Sequence, residues 1–314
     1  MPPEQPLLCR RGTADQPTDK RRRAACGLGL LLVLHAAIAS PLAWGQNPLL
    51  WDPLADGLSA SVWAPDPACN DVPPLIAVRI DPERYRFATY HYKDEKLPAP
   101  LTIKEWQRRT GADLLFNAGL FRDDYSYMGV LLKDGRSLGT KRHGQWQGLF
   151  AAEPTAPGLR KARVMDLAVD PWDADQLVYR EVAQSLMLLD HQGKPRVRQT
   201  GKRAHQTIVA EDRDGFIVLL KTTEPVALWD LATCLRRGFP AIHQAMVMDG
   251  GASSDLMIES RLSGEEKNGA SLSIQSYQDL VDGGGMRHIP LPAVIGVLPR
   301  GMERDKAIEG SGGK

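Results

Sequence analysis

Apolar residues along this chain fall into short β-branched runs bounded by turn residues, with only two longer amphipathic stripes between them. Leu75-Ile-Ala-Val-Arg-Ile80 predicts a strand, Asp81-Pro82 turns the chain, and residues 85–92 predict a second strand. Further strands are predicted at 112–116, 127–133 with an Asp134-Gly135 turn, 162–169 and 185–190. Thr207-Ile-Val-Ala210 and Phe216-Ile-Val-Leu-Leu220 flank Asp214-Gly215, the strongest hairpin signal in the sequence. Two helices interrupt this pattern. Thr102-Ile-Lys-Glu105 is a capping box that opens a short helix ended by Gly111. Thr223-Glu-Pro225 is expected to start a helix whose Leu228, Leu231, Ala232 and Leu235 form one apolar stripe, with Gly238 at its end. Many strands and few helices, without βαβ alternation, predict an α+β domain with a mixed or largely antiparallel sheet.

Residues 247–258 stand out in this series. Two short apolar runs, Val247-Met248 and Leu256-Met-Ile258, flank a polar centre, Asp249-Gly-Gly-Ala-Ser-Ser-Asp255, which predicts strand, tight turn, strand. Gly250 and Gly251 allow positive φ and close approach of backbone to a ligand, while the serines add hydroxyls and the aspartates carboxylates. The same residues also suit a hairpin whose Gly, Ser and Asp merely satisfy turn geometry, and residue types alone leave both readings open. Residues 112–116 end in Asn117 much as the later strand ends in Asp249, each followed by a small residue and glycine. That parallel would place both side chains at strand ends facing one cleft.

Asp249-Gly-Gly-Ala-Ser-Ser254 resembles the Asp-Gly-Gly-Gly-Ser-Ser signature of the phosphodiester glycosidase family. Phe116-Asn-Ala-Gly-Leu-Phe121 resembles the family's early Asn-Gly-Gly-Phe-Phe segment, and residues 184–194 resemble its apolar strand and Gly-Lys turn. Arg203 sits where an arginine opens a strand, and Arg287-His-Ile-Pro290 with Ile295-Gly-Val297 resembles the closing strand, so the likeness spans residues 75–298. It implies hydrolysis of a sugar-phosphate diester, with a non-catalytic glycan- or phosphate-binding protein, or an envelope polysaccharide assembly factor, as alternatives on the same fold. Such chemistry needs a carboxylate near the developing oxocarbenium ion or attacking water, a cation for phosphate and donors for sugar hydroxyls. The resemblance assigns Asp249 as base or nucleophile, Arg203 as phosphate clamp, and Asn117 as ligand to a hydroxyl or water. Gly250, Gly251, Ser253 and Ser254 would form a phosphate nest, with Asp255 and His205 beside the substrate and His243 as a reserve acid or base. Ala252 replaces the family's third glycine and Asp255 stands where threonine is usual; both bear on sugar specificity.

Composition narrows the partners. In 314 residues, 25% charged, the formal net charge is +1, so no overall field steers the chain to nucleic acid, and no basic stripe interleaved with aromatics appears. The expected partner is a sugar-phosphate or glycan, with no cofactor. Asp170, Asp173 and Asp175 lack the glycine and terminal glutamate of a calcium loop, and no metal site is predicted. Lys20-Arg-Arg-Arg23 before a Leu- and Ala-rich run, closing at Ala43-Trp-Gly45, is laid out as a secretory signal peptide over 1–45. The run is shorter than the ~20 apolar residues that span a bilayer, so membrane contact is expected only through an uncleaved leader and the mature protein is periplasmic or secreted. The order then reads as an extended segment at 46–74, one domain at 75–300 and a disordered tail at 301–314. Cys9 and Cys26 lie in the leader; Cys69 and Cys234 remain as an even pair in an exported chain, a disulfide candidate.

Overall fold

Short strands with glycine, proline and aspartate between them make two packed sheets and, among the described residues, one further two-stranded pair. The computed structural model describes residues 49–170, 172–173, 176–262, 272–282 and 288–301, all within the unit Gln46–Lys314. Residues 1–48, with the expected signal segment, Asp175, Gly283 to Gly285, Arg287 and the residues from 302 onward, expected as a disordered tail, lie outside the described residues. The strands are β1 (Asp52–Ala55), β2 (Leu58–Trp63), β3 (Leu75–Ile80), β4 (Tyr85–His91), β5 (Leu114–Asn117), β6 (Leu131–Lys133), β7 (Arg136–Ser137), β8 (Gly148–Pro154) and β9 (Ala162–Asp166). They continue as β10 (Tyr179–Leu189), β11 (Arg203–Ala204), β12 (Thr207–Asp212), β13 (Ile217–Thr222), β14 (Val226–Ala227), β15 (Ile242–Val247), β16 (Leu256–Ile258) and β17 (Ala293–Pro299). Three helices join them: α1 (Ile103–Thr110), α2 (Leu228–Gly238) and α3 (Ile274–Val281). The fold is α+β, as the strand-rich pattern predicts.

The larger sheet runs β1-β2-β3-β13-β12-β15-β10-β6-β7, with β8 and β9 branching from β10; the smaller runs β16-β5-β17-β4. Every pairing between these strands is antiparallel. Because side chains alternate along a strand, each sheet has two apolar faces to cover. Ile76, Val209, Leu219 and Met246 of the larger sheet meet Phe87, Phe116, Ile295 and Val297 of the smaller, with Tyr277 and Val281 of α3 in the same core. Leu231 and Leu235 of α2 cover the other face of the larger sheet against Leu75, Ile208 and Val218. Ile103 and Trp106 of α1 cover the other face of the smaller sheet against Leu115 and Val294. The predicted capping box forms, with Thr102 and Glu105 exchanging hydrogen bonds, and Gly111 caps the helix at φ 59°.

The segment expected to lie extended on the domain instead enters the larger sheet as β1 and β2. The reason is Asp56-Gly57: Gly57 takes φ 82°, and such a dipeptide closes a hairpin within a composition rich in proline and aspartate. Cys69 and Cys234 are joined, their Cα atoms 5.8 Å apart and 165 positions distant in sequence; the bond ties the chain leaving β2 to α2. At the outer edge of β4, where no further described strand pairs, side chains replace a neighbour. Glu153 accepts the amide of Phe87 at 3.1 Å and Glu181 that of Thr89 at 2.7 Å. Glu153 is clasped by Arg300 through two hydrogen bonds, and burial lifts the Glu181 carboxyl to about 7. No described helix is long and apolar enough to cross a membrane.

Candidate active site

The polar centre at 249–255 is a crossing between sheets rather than a hairpin. β15 belongs to the larger sheet and β16 to the smaller, so the segment between them spans the core edge as one 3-10 turn at Gly251–Ser253. Gly251 stands at φ 70° and a Cβ there would meet nothing within 4 Å, so its glycine is required by backbone angle alone. Gly250 is required by proximity, since a Cβ would lie 2.8 Å from Gln206 Oε1 and 3.1 Å from the His205 carbonyl.

Asn117, at the end of β5, links both ends of the turn. Its Nδ2 donates to the Asp249 carbonyl at 2.8 Å and to the Ala118 carbonyl at 3.2 Å, while Oδ1 accepts the Asp255 amide at 3.0 Å. The predicted convergence of the two strand ends is therefore present, but the Asn117 amide is committed to the chain and 1% exposed. It positions the turn; the role of binding a sugar hydroxyl does not suit its geometry. The Asp249 carboxyl is raised to about 6, because burial disfavours its charge more than hydrogen bonds from Ser253 and the Gly250 amide favour it. It is partly accessible. The carboxyl is thus a group that exchanges a proton near neutrality at an open turn, with Tyr127 close enough for the Asp249 charge to act on its hydroxyl.

The other predicted residues divide. Ser254 is fully buried and pairs with Thr207 at 2.9 Å, so its hydroxyl fixes the turn to β12. The amide of Gly251 donates to the His205 carbonyl at 2.9 Å and that of Ser254 to Gly251 at 3.2 Å, and Gly250 serves Asp249. With those amides engaged, the expected nest for phosphate is not formed by Gly250, Gly251 and Ser254. His205 does adjoin the turn, but burial and the nearby Lys221 lower its proton affinity. Arg203 departs furthest from expectation. It is exposed, and its Nη2 donates to the carbonyls of Asp71 and Pro225, each at 3.1 Å, so it braces β11 and β14 against the preceding segment. His243 sits at the opposite end of β15 from the turn, beside Arg213 and Arg160.

Lys221 and His288 were not among the expected site residues, and Asp255, expected beside the substrate, is buried instead. Lys221, 0% exposed, ends the inward-facing row Ile217, Leu219, Lys221 of β13 and lies opposite Thr207. Burial lowers its pKa to about 8, partly offset by Asp255 and Asp282. Asp255, also buried, receives His288 Nδ1 at 2.7 Å. A lysine closing an apolar run was the available signal for the first; nothing in spacing connects residues 255 and 288. Among the described residues, no group of three His, Cys, Asp or Glu side chains could hold a metal; Asp170 instead pairs with Arg163 at 2.8 Å.

The sequence profile of the phosphodiester glycosidase family matches residues 110–290. The chain belongs to the phosphodiester glycosidase family. The match contains Asn117, the signature turn and His288. Among solved structures, the catalytic domain of zebrafish N-acetylglucosamine-1-phosphodiester alpha-N-acetylglucosaminidase, auto-inhibited by its pro-peptide, aligns with a TM-score of 0.53 at 13% identity, over 78% of this chain and 85% of that one. A hypothetical protein from Synechocystis aligns with a TM-score of 0.53 at 13% identity, over 81% of this chain and 64% of that one. At such identity these likenesses are of fold, and no curated protein sequence matches. Family membership places the described fold within a group named for glycosidase action on phosphodiesters.

Proposed function

We propose that this protein is an exported hydrolase that cleaves a sugar from a sugar-phosphate diester, with Asp249 as its general base. The observation that carries the reading is the Asp249 carboxyl, accessible at the signature turn and raised to about 6, a value suited to proton transfer near neutral pH. In the reaction, water adds to the anomeric carbon as the bond from that carbon to the phosphate oxygen breaks. Asp249 takes the proton from water, and the phosphate departs as a monoester anion. Phosphate is a weak base, so departure needs little protonation and one carboxylate suffices for the proton work. Asp255, buried and turned to His288, is not placed to attack the sugar.

Family membership, a disulfide and the signal-like N-terminal sequence support export to the periplasm or beyond it. Incubation with a panel of nucleotide-linked and chromogenic sugar phosphates, with free sugar as readout, tests the activity. Release from at least one diester, lost in Asp249→Asn, is expected; binding without release would assign the chain to glycan or phosphate recognition. Intact mass of the exported protein tests the leader, with a mature start at or near Gln46 expected.

A further inference from the structure

The Arg203 guanidinium braces the chain and three of the turn amides are engaged within it, which leaves the question of what holds the substrate's phosphate. Beside the turn lies a charged cluster made of Lys221 on β13, Asp255 leading into β16, Asp282 at the end of α3 and His288 before β17. Lys221 and Asp255 are 0% and 1% exposed, so neither can touch a ligand. Asp282 and His288 are the two outer members of the cluster, their side chains 28% and 13% exposed, and His288 is the one that can donate.

We propose that His288, oriented by Asp255, is the donor through which this site grips the phosphate of its sugar-phosphate substrate. The inference rests on the reading of the protein as acting on sugar phosphodiesters.

Three features carry it. First, the ring is fixed at one nitrogen: Nδ1 meets Asp255 Oδ2 at 2.7 Å, and the other carboxylate oxygen accepts the Leu256 amide at 3.0 Å, so Asp255 is itself held. Second, among the described residues the outer nitrogen has no short acceptor. Nε2 lies 3.5 Å from Asp282 Oδ1, an oxygen that already accepts Gln278 Nε2 at 2.7 Å, while Asp282 Oδ2 faces Lys104 Nζ at 3.3 Å. At 3.5 Å the contact is too long for a strong hydrogen bond, so Nε2–H is free to turn its bond to an incoming oxygen. Third, the charge is right. The Asp255 carboxylate raises the proton affinity of the ring, with Asp282 adding to it and burial and Lys104 opposing. The imidazolium then carries an N–H on both nitrogens, one for Asp255 and one for an anion. With Asp255 taking one N–H of the protonated ring, the other remains as a charge-assisted donor for an anionic phosphate oxygen.

Asp255 also departs from the threonine usual here in the family. A threonine hydroxyl could accept a hydrogen bond from the ring but could not hold its positive charge. The acidic residue at 255 and the histidine at 288 thus form a charged pair, and Lys221 balances the carboxylate from within.

The test measures phosphate binding apart from turnover. Inorganic phosphate is titrated calorimetrically into the full mature protein, and the same variants are assayed on a sugar phosphodiester. His288→Asn keeps a donor near the Nδ1 position and removes the outer N–H. It should weaken phosphate binding tenfold or more, as loss of a charge-assisted hydrogen bond implies, and raise KM more than it lowers kcat. Asp249→Asn should leave phosphate affinity within about twofold while lowering kcat about 10²-fold or more. His288→Arg, which restores a cationic donor, should recover part of the affinity. Thermal melts establish that each variant is folded. Wild-type phosphate affinity in folded His288→Asn, or no phosphate binding by the parent, overturns the proposal. Phosphate binding that depends on His288 in a protein that cleaves no diester would instead sink the hydrolase reading and leave this one standing.

Discussion

Replacing Asp249 by asparagine should make the protein inactive and more stable at neutral pH. In the folded chain the carboxyl titrates at about 6, against 3.8 for an unperturbed aspartate. The folded state therefore holds its proton more tightly than the unfolded state. Stability from this group is fully present below about pH 3.8, falls as pH rises toward 6, and stays low above that. A shift of about two units corresponds to about 3 kcal/mol, already net of the hydrogen bonds from Ser253 and Gly250 that favour the charged form. Asparagine has the same shape and cannot ionise, so Asp249→Asn should gain about 1–3 kcal/mol over wild type at pH 8 and almost nothing at pH 3.5. Urea unfolding of both proteins at the two pH values measures the difference, provided the transitions are two-state. In parallel, kcat should fall about 10²-fold or more with KM little changed, and wild-type kcat/KM should rise through about pH 6 to a plateau. An asparagine variant whose stability relative to wild type is the same at both pH values would refute the argument that Asp249 is ionised against its environment.

Other consequences are simpler. Removing the disulfide as Cys69→Ser with Cys234→Ser should cost about 2–4 kcal/mol, since it closes a long loop; a midpoint in urea equal to that of wild type would contradict this. Arg203→Ala should lower stability by about 1 kcal/mol through two lost hydrogen bonds and leave KM for a sugar phosphodiester unchanged, so a tenfold rise in KM would return Arg203 to the site. Gly251→Ala meets no steric obstacle but must hold φ 70°, and should cost about 1–2 kcal/mol in thermal or urea unfolding. Asn117→Ala leaves the buried amide of Asp255 without its acceptor and should lose about 1–3 kcal/mol together with most of kcat; full activity would show that the turn keeps its shape without the bridge.

Much of the fold could be read because its determinants are local. The hairpin at Asp214-Gly215, the capping box at Thr102 and the stripe on α2 are each written in a few adjacent residues. β1 and β2 were hidden because Asp56-Gly57 sits among prolines and acidic residues, where composition outweighs the turn signal. The signature turn was legible as chemistry, and Asp249 with it, since glycines and a carboxylate at a strand end are local too. Its topology was not. Whether β15 and β16 pair with each other or with different sheets depends on contacts with Thr207, Ala118 and Asn117, which lie far away in sequence. For the same reason Arg203 looked like a clamp until its partners, the carbonyls of Asp71 and Pro225, were in place. The pairing of Asp255 with His288 joins positions across α3, and no period or spacing foretells such a meeting.

The outer edge of β4 has a further meaning for how copies of this protein behave together. An unpaired strand edge is a template on which another chain can add a strand, the first step toward strand-exchanged oligomers and aggregates. Here the amides of Phe87 and Thr89 are already taken by Glu153 and Glu181, so an incoming backbone would have to displace two carboxylates, one of them locked to Arg300. The smaller sheet is thereby ended by its own side chains, and the chain carries a safeguard against self-association at the place where its sheet would otherwise keep growing.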